Sequence, residues 1–328
     1  MNTIFKRELW TNEFIQNSAE YLGIINSKSG LIVQDPRITK MTQAADAGQI
    51  IEIPFVQESM FDGVNISDMT DNNGAVSDIT KLRSKAWIGH FNKIYYEYDL
   101  ASKIGSGISS IAAARALIGR HFAKLQQGII VSTILGCIAS NKANNDGDNV
   151  KVFTGDKFSY DKFVDTLVLA GEEMSNFSAI IINPTVKGQI MKEDRVSVQT
   201  VKDSALGDVE YYNNLEIIVT DSLPKIVDAV NGDRFTSIII RKGSFVYAPG
   251  KVDMPVEEVR EGLKGNGGGK SYVVFRTGFL LAPQGYSYTK AAQAGESPTN
   301  AELQNPANWS RVISSKQAPF LAMETKVA

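Results

Sequence analysis

Cysteine and histidine are almost missing from this chain. Its 328 residues include one cysteine, Cys137, and two histidines, His90 and His121. A single thiol excludes an intrachain disulfide. Two histidines and one cysteine cannot assemble a typical zinc site without several carboxylates. His90 falls in a strand-like run and His121 beside Phe122 on an expected helix, so neither is set against a nucleophile as a Ser-His-Asp site requires. Both read as structural or surface residues. Cys137, next to Ile138 in the same expected helix, reads as a small buried apolar residue. No apolar run approaches the roughly 18 to 20 residues that a membrane span needs. The opening "MNTIFKRELWTNEF" has charge and aromatics where a signal peptide needs a continuous apolar stretch. Net charge is −2, so no global basic field recruits nucleic acid. The expectation is a chain that works in a cytoplasm, with no catalytic set, no cofactor, no metal and no membrane.

Four motifs need testing against their own chemistry. "GLKGNGGGKSYVV" (Gly262 to Val274) ends like a phosphate-binding loop. The spacing G-x-x-x-x-G-K-[ST] puts its first glycine at 264, which is Lys264, and the following "SYVVFRTGFLLA" reads as a strand. A phosphate cradle needs a helix N-terminus there. The segment therefore reads as a turn between two strands. "NNDGDN" resembles a calcium loop, but the first ligand position is Lys142 and the twelfth is Phe153. Only adventitious cation binding by Asp146 and Asp148 remains. "VEEVRE" places Glu257, Glu258 and Glu261 near Arg260. Carboxylate pairs do acid–base work, but charges on a solvated strand face, or an ion pair between subunits, fit better. "SKAWIGHFNKIYYEYD" interleaves aromatic and basic residues with period two, which favours core or interface packing over stacking on single-stranded nucleic acid.

Along the chain, Thr11 to Gly23 reads as a short helix capped by Thr11, followed by an extended stretch and a strand at Gln49 to Val56. Gln57 to Lys85 is a polar excursion longer than compact domains usually hold. Ala86 to Leu100 returns as an aromatic strand. The segment from Gly105 to Asn141 is the strongest helix, capped at Ser109 or Ser110. Ile111, Ile118, Phe122, Leu125, Ile129 and Ile138 form one apolar stripe on it. About 30 residues make a rod of roughly 45 Å. After Asn149 short elements alternate: a helix capped at Ser159 or Asp156, a buried strand "SAIIINP", a helix opened by Pro184, and strands in "LEIIVTDSLP" and "FTSIIIRKGSFVYAP". "VDMPVEEVRE" and "KSYVVFRTGFLLAPQGYSYT" then face each other across the glycine turn as a long antiparallel hairpin. The C-terminal part reads as loop, turn and a short final strand. No repeat of 20 to 50 residues is visible, which argues against a solenoid or propeller.

The order of these parts resembles the major capsid protein of tailed bacteriophages, with the Hong Kong 97-type fold. "QIIEIPF" is similar to the strand before that family's extended loop, and "ARALIGRHFAKLQQGIIVSTILGCIA" to its spine helix. "IIINPTVKGQIMKED", "LEIIVTDSLP" and "FTSIIIRKGSF" are similar to parts of its axial domain. "VEEVREGLKGNGGGKSYVVFRTGFLLAPQGYSYT" resembles its peripheral hairpin, and "SPTNAELQNPANWSRVISSKQAPF" its C-terminal signature. The resemblance covers nearly the whole chain, and its weight lies in order and spacing.

The resemblance implies an α+β fold divided as follows: an N-terminal arm (1–48), an extended loop with flanking strands (49–98), a spine helix of the peripheral domain (99–148), a mixed α/β axial domain (149–255), the peripheral hairpin (256–292) and a C-terminal segment returning to the axial domain (293–328). It implies self-assembly into pentamers and hexamers of an icosahedral virion shell around double-stranded DNA, put together in the host bacterial cytoplasm. The expected partners are copies of itself, a portal, a separate scaffolding protein, and DNA touched weakly. Some members carry a scaffolding segment before the arm; here the expectation is a separate scaffold or processing ahead of Met1. The implied assembly residues are Asp62, Asp68, Asp71, Lys81, Arg83 and Lys85 in the loop region, and Glu257, Glu258, Arg260, Glu261, Asn266 and Lys270 in the hairpin. Some members join a lysine to an asparagine; Lys81, Lys85 and Asn266 are candidates by residue type only. The alternatives are an encapsulin-type compartment shell and, from another class, an α/β enzyme or carbohydrate-binding module.

Overall fold

The computed structural model describes residues 30–45, 50–56, 81–99, 110–193, 198–203, 207–230 and 232–326. In chain order these form β1 (Ile32–Gln34), α1 (Pro36–Ala44), β2 (Ile50–Val56), β3 (Lys81–Tyr98), α2 (Ser110–Asn144), β4 (Val150–Val152), α3 (Tyr160–Leu167), β5 (Phe177–Ile182) and α4 (Pro184–Glu193). Then come β6 (Val198–Asp203), β7 (Gly207–Tyr212), β8 (Leu215–Val219), β9 (Lys225–Ile226), β10 (Arg234–Arg241), β11 (Phe245–Pro249), β12 (Val256–Glu261), β13 (Lys270–Pro283), β14 (Tyr286–Tyr288), α5 (Asn300–Gln304), β15 (Trp309–Arg311) and β16 (Phe320–Lys326). The helix read at Thr11 to Gly23 and the centre of the polar excursion lie outside the described residues.

Two large sheets sandwich α2. One has the order β4-β16-β10-β5-β8-β7-β6, with β9 beside β10. Its central strands are apolar at consecutive positions because both faces are covered. Ala179, Ile181, Ile238, Ile240, Phe320 and Ala322 turn toward α2, where Ile129, Ile134 and Cys137 lie. Their neighbours Ile180, Ile182, Ile239, Leu321 and Met323 turn the other way, onto Phe163, Val186 and Ile190 of α3 and α4. The second sheet runs β1-β11-β13-β3-β2, with β12 on β13. The chain passes between the sheets at the Lys242–Gly243 turn, where Gly243 has φ +71.

Because sheets lie on two sides of it, α2 buries more than one stripe. Ile129, Ile130, Val131, Ile134, Cys137 and Ile138 are all buried. The expected stripe residues Ile118, Phe122, Ile129 and Ile138 are buried, and Leu125 is partly so. The helix has 35 residues, roughly 52 Å at 1.5 Å each. Contrary to the sequence reading, His121–Asn144 does reach the length and hydropathy of a membrane span, although 61% of that apolar window is buried within the protein.

Two further expectations change. The stretch before β2 is not simply extended: it contains α1, whose Asp35 cap accepts from the Arg37 N–H at 2.8 Å ahead of Pro36. The C-terminal part holds α5, closed by a capping box in which Thr299 and Glu302 bond each other's backbone.

Candidate assembly surface

The β12–β13 hairpin, extended by β3, has two unlike faces set by strand register. Val256 lies opposite Phe275, and Val273 opposite Tyr95. This set packs on Ile118 and Phe122 of α2. Trp87, Phe91 and Tyr95 continue the same side along β3, with Phe91 stacked on Phe279 at 5.4 Å and Tyr95 edge-on to Phe275 at 6.1 Å.

The opposite face takes the alternate residues: Glu257, Val259 and Glu261 of β12, Lys270, Tyr272 and Val274 of β13, and Ile94, Tyr96 and Tyr98 of β3. It is open to solvent, with Tyr96 58% exposed, Ile94 54% and Tyr98 42%. The Lys270 ammonium sits among its rings, 3.7 Å from the centroid of Tyr96, 4.8 Å from Tyr272 and 5.0 Å from Tyr98. Desolvation works against the ammonium, but the Tyr272 hydroxyl and the three phenols outweigh it, so Lys270 is held above the usual lysine range. At the rim Arg276 Nη2 donates to Glu257 Oε2 at 2.6 Å, and the Tyr272 hydroxyl reaches Glu261 Oε2 at 3.5 Å.

The hairpin tip is tied back to β3. Arg260 donates to Asp99 Oδ2 from Nε at 3.2 Å and Nη2 at 2.5 Å, which raises the guanidinium above its usual value. The Asp99 N–H donates to the Gly269 carbonyl at 3.1 Å. Gly265, Asn266, Gly267 and Gly269 all have positive φ, and the Gly269 N–H donates to the Lys264 carbonyl at 2.9 Å. The glycine run is thus a hairpin turn, and a strand, not a helix, follows it. Asn266 stands exposed on this tip, and Glu258 is exposed on β12.

The residues expected near the loop are placed in part. Asp62, Asp68 and Asp71 lie outside the described residues. Lys81 pairs its backbone with Val56. Arg83 Nη1 donates to Glu52 Oε2 at 2.7 Å, both side chains exposed. The Lys85 side chain is exposed while its N–H donates to Ser287 Oγ at 2.9 Å. One strand, β3, links the two groups: Lys81–Trp87 pairs with β2, and Ile88–Tyr98 with β13.

In "NNDGDN" the Asp148 carboxylate is already engaged within the chain. Both Asp148 carboxylate oxygens are taken by the Arg311 guanidinium, at 2.7 and 2.9 Å, and Asn141 Nδ2 adds a bond at 3.0 Å. Among the described residues no group of three or more potential ligands is placed to hold a metal.

Sequence reasoning did not single out Ile94, Tyr96, Tyr98, Val259 or Tyr272, which make the open face. The signal was the alternation in "NKIYYEY", which turns Tyr95 and Glu97 inward and leaves Ile94, Tyr96 and Tyr98 outward.

No protein-family profile matches the chain. The chain is 27% identical over 315 residues to the major capsid protein of Bacillus phage SPP1, covering 93% of this chain and 92% of that one. The capsid of cyanophage Pam1 superposes with a TM-score of 0.60 at 10% identity, over 92% of this chain and 90% of the other. The SrpI encapsulin of Synechococcus elongatus superposes with a TM-score of 0.50 at 13% identity, over 100% and 90%.

Proposed function

We infer that this chain is the major capsid protein of a tailed bacteriophage, with the Hong Kong 97-type α+β fold, and that its copies associate into an icosahedral shell. It is a structural protein rather than an enzyme. The observation that carries this reading is the sequence match to a phage major capsid protein along 93% of the chain. The fold alone is shared with an encapsulin, but the sequence likeness goes to the phage protein.

The finer reading is as follows. Copies close into pentamers and hexamers by head-to-tail contacts that use different patches on each side. The excursion at 57–80 reaches over a neighbouring copy. It carries Glu58, Asp62, Asp68, Asp71 and Asp78 with no lysine or arginine. The open hairpin face suits such a segment: exposed tyrosines supply contact area, and Lys270 supplies a cation. Each contact is modest, and closure of the shell multiplies it. A separate scaffolding protein and a portal direct assembly in the host cytoplasm. A net charge of −2 fits a wall that touches packaged DNA weakly.

The test is co-expression with the cognate scaffolding protein, read by electron microscopy and light scattering. Closed particles or capsomers are expected. A strictly monomeric chain, even with scaffold and portal present, overturns the reading.

A further inference from the structure

An open-mouthed cleft of about 470 Å³ lies on the side of the larger sheet away from α2, between the N-terminus of α3 and the C-terminus of α4. Its volume falls in the range of small-ligand sites, which are mostly apolar with a few placed polar groups. Phe158, Ile190 and Tyr212 line it and are buried; Tyr160 lines it and is 45% exposed. The aromatic residues are fixed against one another. Phe158 meets Tyr212 edge-on at 5.8 Å, and Phe163 supports Tyr212 from behind at 5.2 Å.

The charged groups among the described lining have one sign. Asp161 and Glu193 both line the cleft and are exposed, and among the described residues no lining residue is basic. The nearby Lys162 ammonium is engaged by Asp156 at 3.2 Å. Glu193 is the last residue of α4, at the negative end of that helix dipole and next to Lys192, while Asp161 lies in the first turn of α3. A cleft lined by aromatic rings and two carboxylates attracts a cation and gains little from an anion.

We propose that this cleft binds an organic cation, an alkylammonium or alkylguanidinium group, with its charge between Asp161 and Glu193 and its chain over Phe158, Tyr160 and Tyr212. The cation comes either from a free polyamine or from a basic side chain of another copy of this chain. The inference does not depend on shell formation, and it is tested first on the unassembled full-length chain.

The probes are butylguanidinium and spermidine, with 1-butanol and Mg²⁺ as controls, followed by calorimetry and by perturbation of nuclear magnetic resonance signals from the cleft. Saturable binding of both organic cations at the cleft is expected, with no saturation by 1-butanol or Mg²⁺. Asp161→Asn combined with Glu193→Gln should weaken binding at least 10-fold while leaving thermal unfolding close to that of the parent. Tyr160→Ala should weaken it several-fold. No saturation by the organic cations overturns the proposal. So does equal binding of Mg²⁺ or 1-butanol, or undiminished binding by the double variant. Assembled particles then separate the sources. Spermidine binding retained in closed shells assigns the site to a free polyamine. Binding lost on closure, with assembly inhibited by butylguanidinium, assigns it to a side chain of a second copy.

Discussion

Gly136 of the long helix lies so close to Leu303 that a Cβ built on it would stand 1.9 Å from the Leu303 carbonyl oxygen. That oxygen already accepts the Trp309 indole N–H at 2.7 Å, and the hypothetical Cβ would also be 2.6 Å from the indole nitrogen. The helix and the C-terminal segment meet backbone to backbone. Gly136→Ala should therefore force the two apart, at a cost of about 1–3 kcal/mol or more, despite alanine's better helix propensity. Gly188, inside α4, has nothing within 4 Å of its would-be Cβ; Gly188→Ala should stabilise by roughly 0.5–1 kcal/mol. Thermal unfolding of both variants checks the contrast. Equal effects would mean that Gly136 is not a contact point.

An ion pair with one buried partner fixes the end of the same helix to the larger sheet. Lys142 Nζ bonds Glu324, whose side chain is 3% exposed, and Arg234 Nε lies 3.7 Å from the other carboxylate oxygen. Lys142→Ala leaves the buried Glu324 carboxylate with only the more distant Arg234, a loss of about 1–3 kcal/mol once the exposure of Lys142 is allowed for. Lys142→Ala and Glu324→Ala should each lower the unfolding temperature markedly. The double variant should cost less than the sum of the two. Simple additivity would show that the pair is not coupled.

The open hairpin face should behave differently. Tyr96→Ser with Tyr98→Ser removes exposed rings and part of the cation–π support for Lys270, about 0.5–1 kcal/mol. Unfolding of the unassembled chain should hardly move, while particle yield with scaffold falls at least several-fold. Normal particle yield would remove this face from the assembly surface.

Shortening the acidic excursion, by replacing 62–77 with a brief Gly-Ser linker, should likewise spare the fold. Closure entropy changes by only about 0.6 kcal/mol per doubling of loop length. Particle formation should weaken or fail. A variant that unfolds readily would place the segment in the core instead.

Alkaline stability should decline in a defined window. Burial raises Tyr247 to about 12 and pushes Tyr286 and Tyr288 higher still. In the unfolded chain these phenols ionise near pH 10, while in the fold they stay neutral. Their stabilisation is complete below about pH 10 and drains away as the pH rises through the folded values, at up to about 1.4 kcal/mol per pH unit for each. Tyr247→Phe should make the fall between pH 10 and 12 shallower. An unchanged slope in a pH series of melting temperatures would count against its burial.

What the sequence made legible was whatever repeats with a period. Consecutive apolar residues in "SAIIIN" and "FTSIII" marked strands covered on both faces, and the glycine run marked the turn of a long hairpin. The capping signals were present but easily overlooked. Asp35-Pro36 opens α1, and Thr299-x-x-Glu302 closes a box at α5. Contacts between residues far apart in sequence leave no local trace. Nothing near Asp148 announces Arg311, and nothing near Gly136 announces Leu303. The open face was hidden for a related reason: alternation shows that Tyr96 and Tyr95 point opposite ways, but only the position of α2 decides which side is covered.

The last described strand, β16, is not at an edge. It lies between β10 and β4, pairing with Arg234–Ile240 on one side and Val150–Val152 on the other. A ribosome that stops before Phe320 therefore releases a chain with a gap in the middle of its larger sheet and no Glu324 to hold Lys142. Read-through to this strand is therefore a condition for completing the larger sheet, and a chain cut short before Phe320 should fail to unfold as one cooperative unit.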